Sequence, residues 1–232
     1  MAHRLAASRV PQDNPEPSRQ LPRVALTGRD GDIVRTLATK VRCLSVSLAA
    51  KVWWPDTSPH RAALRLNALA ASGWLKGAVM YARKLPSLEQ PLLTWRIGEG
   101  TPDFGGVSYV LRHRFTEPAK PTAIYVASSK AARHFGGASA RLPRVSEVTH
   151  DLGLATVYLL LRDRSPAIAP MWLSEGWIIA AGVKAGDKVP DALIDTPNGP
   201  KRAIEFGGEY GKRKLLSFHR YCDASRLEYE LW

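Results

Sequence analysis

From Leu26 onward the apolar positions of the chain change period several times, and each change marks an element. Ile33, Val34, Leu37 and Val41 recur at three and four, which is one face of a helix. Thr27-Gly28-Arg29-Asp30 in front of them fits a capping box, with Thr27 as N-cap and Asp30 three residues on. Ser45 opens a second helix carrying Leu48, Ala49, Val52 and Trp53, and Pro55 ends it. Ser58-Pro59 opens a third, with Pro at the first helical position. This helix, HRAALRLNALAAS, turns Leu66 and Leu69 inward, keeps His60, Arg61, Arg65 and Asn67 polar, and stops at Gly73. Two β-prone runs follow, Trp74–Tyr81 and Leu92–Ile97, and they predict a two-stranded wing after three helices. Residues 98–143 are less regular: Ser108–Phe115 and Thr122–Ala127 read as strands, Ser129–Phe135 as a short helix before Gly136-Gly137.

A new pattern starts at Ser146. Leu152, Leu154, Ala155, Val157, Tyr158 and Leu161 surround a helix on most sides, so it is expected to be largely buried. Met171–Ala181 reads as a strand carrying Glu175, with Trp172 and Trp177 as core residues. Val189–Asp195 and Ala203–Phe206 read as two strands joined by an Asn198-Gly199 turn, a dipeptide that tolerates positive φ. Leu215, Phe218 and Cys222 then mark a helix, and Leu227–Trp232 alternates as a half-buried strand should. The order is α-β-β-β-α-β. It puts Asp191 and Glu205 on paired strands, and two oxygen donors so placed suit a hard divalent cation, Mg²⁺ or Mn²⁺.

Charge sharpens the picture because of where it lies. The 232 residues carry a net charge of +12, yet residues 1–143 hold 21 Lys/Arg against 9 Asp/Glu and residues 144–232 hold 12 against 12. A basic part joined to a neutral part points to one half gripping a polyanion, here double-stranded DNA. On the third helix His60, Arg61 and Arg65 are the residues placed to reach a major groove, with Lys76, Arg83 and Lys84 on the wing side. No apolar run approaches the roughly 20 residues of a membrane span, so no membrane insertion is expected. Arg, Pro, Ser, Gln and Asn dominate residues 1–23, which read as a disordered basic arm without a secretory leader. Cys43 and Cys222 stand far apart without metal-ligand spacing, as expected of a reduced, cytoplasmic protein.

The element order, with Asp191 and then Glu205 on the second and third strands, resembles the PD-(D/E)XK restriction-endonuclease-like fold. More closely, the chain resembles MOB_C-class plasmid mobilisation relaxases and the related replication-relaxation proteins. The likeness spans residues 24–232 and lies in LTGRD, THDLGLATVYLLL, MWLSEGW, PDALI and above all AIEFGGEYGKRKLLSFHRYC. It implies an α+β to α/β chain: a winged-helix DNA-binding domain with a basic extension over 24–143, and a nuclease-like domain over 144–232. The activity implied is metal-dependent nicking at a plasmid origin of transfer, with a coupling protein or other relaxosome components as further partners. Asp191 and Glu205 would hold the metal, Glu175 or Asp151 would complete its shell, and His150 would contact the scissile phosphate.

The family places a lysine two residues after the third-strand acid, a position that is Gly207 here. At about 100° per residue, Lys214 falls within about 40° of Phe218 on the buried helix face and Lys212 about 120° away. Lys214 is therefore the expected substitute, and Lys212 is expected to meet solvent or the DNA backbone. Two other readings stand beside this one: an inactive DNA-binding initiator or accessory protein, favoured by Gly207, and a plain transcriptional regulator, which leaves the carboxylate pair unexplained. A tyrosine-type relaxase is set aside, because its metal needs a histidine cluster and no His-x-His occurs.

Overall fold

A computed structural model describes residues 24–138, 141–182, 189–197 and 201–232. The predicted N-terminal arm and the Asn198-Gly199 turn lie outside these residues. The described chain is mixed α+β, with nine helices and two sheets.

The first three helices form as predicted: α1 (Gly28–Thr39), α2 (Val46–Trp53) and α3 (Pro59–Ala71). In the α1 capping box the Thr27 N–H donates to Asp30 Oδ2 at 2.8 Å and the Asp30 N–H to Thr27 Oγ1 at 3.2 Å. Gly73, at φ +76°, ends α3 in a left-handed turn that a glycine makes at no steric cost. A three-stranded antiparallel sheet closes this part in the order β1 (Leu44–Ser45), β4 (Lys120–Ala127), β2 (Leu75–Ala82). Helix α5 (Ser129–Phe135) follows β4 and packs on α1.

The predicted wing is corrected here. The partner of β2 is β4, in a full register from Leu75↔Ala127 to Ala82↔Lys120. The second β-prone run, β3 (Leu93–Trp95), instead pairs antiparallel with the last strand of the chain, Trp95 opposite Tyr229. The predicted strand Ser108–Phe115 is a helix, α4 (Phe104–His113), whose N-cap Asp103 accepts the Gly105 N–H at 2.8 Å. Phe104 and Leu111 of α4 pack with Leu215 and Leu231. Residues 83–119 therefore leave the first sheet, extend the second, and return.

The second sheet runs β3-β8-β7-β6-β5, with β5 (Trp172–Ser174), β6 (Ala192–Ile194), β7 (Arg202–Glu205) and β8 (Glu228–Leu231). Helix α6 (Val145–Arg164) covers it, followed by a short α7 (Ile168–Met171). The predicted strand Met171–Ala181 is mostly helical: after three strand residues the chain turns into α8 (Glu175–Ala180). Trp172 is fully buried as expected, but Trp177 on α8 is 42% exposed and is not core. The last helix, α9 (Lys212–Ala224), buries Leu215, Phe218 and Cys222 as its spacing predicts. Strand β8 alternates in sequence but is buried on both faces, with Tyr229, Glu230 and Leu231 all covered. Glu230 is accommodated by Arg202 Nη1 at 2.8 Å and Trp232 Nε1 at 3.0 Å.

One hydrophobic cluster runs from Ile33, Leu37 and Trp53 through Ala155 and Tyr158 to Trp172, Phe206 and Trp232. Packing is thus continuous across residue 143, where composition changes. Two reciprocal hydrogen bonds pin the seam: Lys40 Nζ to the Trp172 carbonyl at 2.9 Å, and Trp172 Nε1 to the Lys40 carbonyl at 3.1 Å. No helix among the described residues is long and apolar enough to cross a membrane.

Candidate active site

The site grows out of the β6–β7 pairing. Ala192 lies opposite Ile204, so one residue further Asp191 stands opposite Glu205 on the same face of the sheet. Pro190 precedes Asp191, and the strand bonds begin just after it. Asp191 Oδ2 accepts the Phe206 N–H at 2.8 Å and is 3.0 Å from His150 Nε2. The first turns of α6 bring His150 there, and Phe206 meets its ring edge-on at 5.7 Å. Gly153, one turn further along α6, leaves room for the Phe206 ring: a Cβ at 153 would lie 2.2 Å from it.

His150 is held between two carboxylates, with Nδ1 3.6 Å from Asp151 Oδ1. Burial by itself would lower its pKa, but the bonds to Asp151 and Asp191 outweigh this and raise it to about 10. It is therefore an imidazolium at neutral pH: a fixed positive charge beside Asp191 and not a free base. Asp151 in turn is bound by Arg42 Nη1 at 3.0 Å, and the same nitrogen reaches Glu147 Oε2 at 3.1 Å.

Glu205 is 8% exposed. Burial and the facing Asp191 charge push its pKa up to about 7, against the opposing pull of Tyr210, His150 and Lys214. Tyr210 donates its hydroxyl to Glu205 Oε1 at 2.9 Å, and Lys214 Nζ sits 3.4 Å above the Tyr210 ring. A carboxyl that burial makes harder to ionise, beside Asp191, His150 and Lys214, is arranged for proton transfer or for cation binding.

The expected site residues divide. Asp191, Glu205 and His150 come together; Lys214, expected to reach inward, stays exposed and meets them only by way of the Tyr210 ring. Glu175 does not join them: it heads α8, is 49% exposed and points at Arg42 Nη2, 3.7 Å away. Asp151 faces Arg42 and His150. Neither completes a metal shell, and among the described residues no group of three or more His, Cys, Asp or Glu side chains could hold a metal ion.

Gly207, where the nuclease-like resemblance would put a lysine, has no room for a side chain. A Cβ there would lie 2.8 Å from Leu111 Cδ2 and 3.2 Å from Leu231 Cδ1. Helix α4, misread in the sequence as a strand, fills the slot.

The residues expected to contact DNA divide as well. His60, Arg61 and Lys76 are exposed. Arg65 is corrected to a structural role: Nε bonds Asp30 Oδ1 at 2.9 Å, while Nη2 bonds Asp30 Oδ2 and the Ala25 carbonyl. Arg83 pairs with Glu209 at 3.2 Å and Lys84 with Glu117 at 3.0 Å.

Two residues escaped the sequence reading. Arg42 anchors Asp151, and no local pattern points to it. Arg114, at the end of α4, stacks 4.3 Å from the Phe206 ring, with Nε and Nη2 buried and without hydrogen-bond partners. Burial lowers its pKa to about 10. A cleft of about 450 Å³ opens beside His150, walled by Tyr81, Phe115, Phe206 and Glu209. No protein-family model, no curated protein and no solved structure matches the chain.

Proposed function

We propose that this chain binds double-stranded DNA and cleaves one phosphodiester strand with the help of a divalent cation, in the manner of the MOB_C-class relaxases it resembles. The observation that carries this reading is the Asp191–Glu205 pair, half-buried Asp191 just before β6 opposite buried Glu205 at the end of β7, with His150 and Lys214 at its margin. The Asp191 charge raises the cost of ionising Glu205, and a divalent cation between the two would relieve it. Mg²⁺ commonly takes only one or two carboxylates and completes its shell with water and substrate phosphate, so the pair suits it without a third ligand. When bound, such an ion lowers the pKa of its water and neutralises phosphate oxygens.

The remaining work falls to the chain's own groups. Tyr210 fixes the Glu205 carboxyl through its hydroxyl and carries Lys214 on its ring. His150 holds Asp191 in place and directs positive charge at the cleft where a scissile phosphate would lie. The order α1-β1-α2-α3-β2, with β4 returning after β3 and α4 to pair between β1 and β2, supports reading residues 24–138 as a winged helix. Its wing is then β2–β4, with residues 83–119 inserted at the tip. Exposed His60 and Arg61 on α3 remain the residues for groove contact, and Lys76 for the backbone.

The test is incubation of the full chain with Mn²⁺ and supercoiled plasmid bearing its cognate origin. Open circles are expected from wild type and not from Asp191→Asn or Glu205→Gln. Mn²⁺ should also raise the Tm of wild type and leave that of either variant unmoved. A second reading, DNA binding without cleavage, is favoured by the closed Gly207 slot. It would be established by sequence-specific binding with neither open circles nor a Mn²⁺ shift.

A further inference from the structure

We infer that the cleft between α4 and the start of α9 is a phosphate-binding site, which holds a nucleic-acid backbone against the sheet that bears the carboxylate pair. The cleft has a volume of about 530 Å³ and is lined by Arg112, His113, Lys212 and Arg213, with no acidic side chain in its wall. Arg112, Lys212 and Arg213 share this one cleft and, among the described residues, form no ion pair. Asp103, the N-cap of α4, accepts the Gly105 N–H through Oδ1 and forms no ion pair with these cations. Like charges gathered without partners repel one another, so nothing in the fold's stability accounts for the arrangement; a polyanion does.

Backbone geometry adds to it. Arg112 Nη2 lies 2.7 Å from where a Cβ on Gly211 would be, and Lys212 Nζ lies 3.2 Å from a Cβ position on Gly105. Both cations thus rest on bare glycine backbone. Gly211 is the N-cap of α9, and no side chain caps that end, so the positive end of a helix of 13 residues faces the same cleft. The site is also wired to the carboxylates. Ser108 Oγ on the cleft wall donates to the Tyr210 carbonyl at 3.0 Å, and the Tyr210 hydroxyl bonds Glu205.

That the phosphate belongs to DNA rests on the function proposed above; the test does not need cleavage. Fluorescence anisotropy with a random-sequence DNA duplex in EDTA, at several salt concentrations, gives the slope of log K against log [salt]. Each of Arg112→Ala, Lys212→Ala and Arg213→Ala should reduce that slope by about one, and the triple variant by about three, with an unchanged Tm. Arg220→Ala, exposed further along α9, should leave it as it is. An unchanged slope in the triple variant overturns the proposal. So does a triple variant that loses only a Tm increase given to wild type by inorganic phosphate, which would mark a small-anion site. Loss of slope in a protein that never nicks would sink the cleavage reading and leave this one standing.

Discussion

Replacing Gly207 by alanine isolates the contact that closes this position to a side chain. The new methyl would lie 2.8 and 3.0 Å from the two Leu111 Cδ atoms and 3.2 Å from Leu231 Cδ1, so something must move. Leu111 cannot swing to solvent, being 0% exposed among Phe104, Leu215 and Leu231. Overpacking of this kind costs about 1–3 kcal/mol. Leu111→Ala, which empties the same space, should cost about 2–5 kcal/mol on its own. Because the two changes compete for one volume, the double variant should be more stable than their sum predicts by about 1–3 kcal/mol. Equilibrium unfolding in urea, read by tryptophan fluorescence and extrapolated linearly, measures all four corners of the cycle. If Gly207→Ala lies within about 0.5 kcal/mol of wild type, or the two costs simply add, α4 is not what keeps a side chain from position 207.

If the proposed cleavage is right, Lys214→Ala is expected to lower the nicking rate at least about tenfold with Kd changed less than about threefold, since it removes a charge placed to face the phosphate; normal nicking on saturating DNA would show that the site works without it. Tyr210→Leu, which removes both the Glu205 hydrogen bond and the ring under Lys214, should produce the same rate loss, whereas Tyr210→Phe keeps the ring and should lose less. Arg61→Ala should weaken specific DNA binding by about 1–3 kcal/mol if the residue reads a base, measured by gel shift at two salt concentrations; no change in affinity would remove α3 from the interface. Acid unfolding supplies a further check. Burial alone would raise the Asp30 pKa, but Arg65 and Thr27 bring it below the ordinary 3.8, and Arg141 with the Arg144 N–H lowers Glu147 from 4.5 to about 2. Both are depressed carboxyls, so their contribution is complete above about pH 5 and is lost as pH falls toward 2. Arg65→Met should flatten the fall in Tm over that window; an unaltered pH–Tm curve would mean that the Asp30 pair contributes nothing.

Local signals decided a large part of this molecule. The capping box at Thr27, the Ser58-Pro59 start, the Gly73 stop and the Leu215–Phe218–Cys222 face were all legible, because capping and helical period act within a turn or two of the chain. The opposition of Asp191 and Glu205 was legible for a related reason: a short connection makes adjacent strands pair antiparallel, and the period of two then sets the face. What a strand pairs with is not local. Leu92–Ile97 carries the same β signal whether it joins β2 or β8, and only its docking beside Tyr229 chose the latter. Ser108–Phe115 alternates like a strand but is helical, since Phe104 and Leu111 bury together only at helical spacing. Glu175 and Arg65 show the same limit for side chains: their partners, Arg42 and Asp30, lie far off in sequence. The excess positive charge of residues 1–143 was correctly counted, yet its division between two bodies was not. Tertiary packing carries α4 across to α9, and by long-range burial alone it sets Arg112 beside Lys212, next to a carboxylate pair whose own half of the chain is neutral.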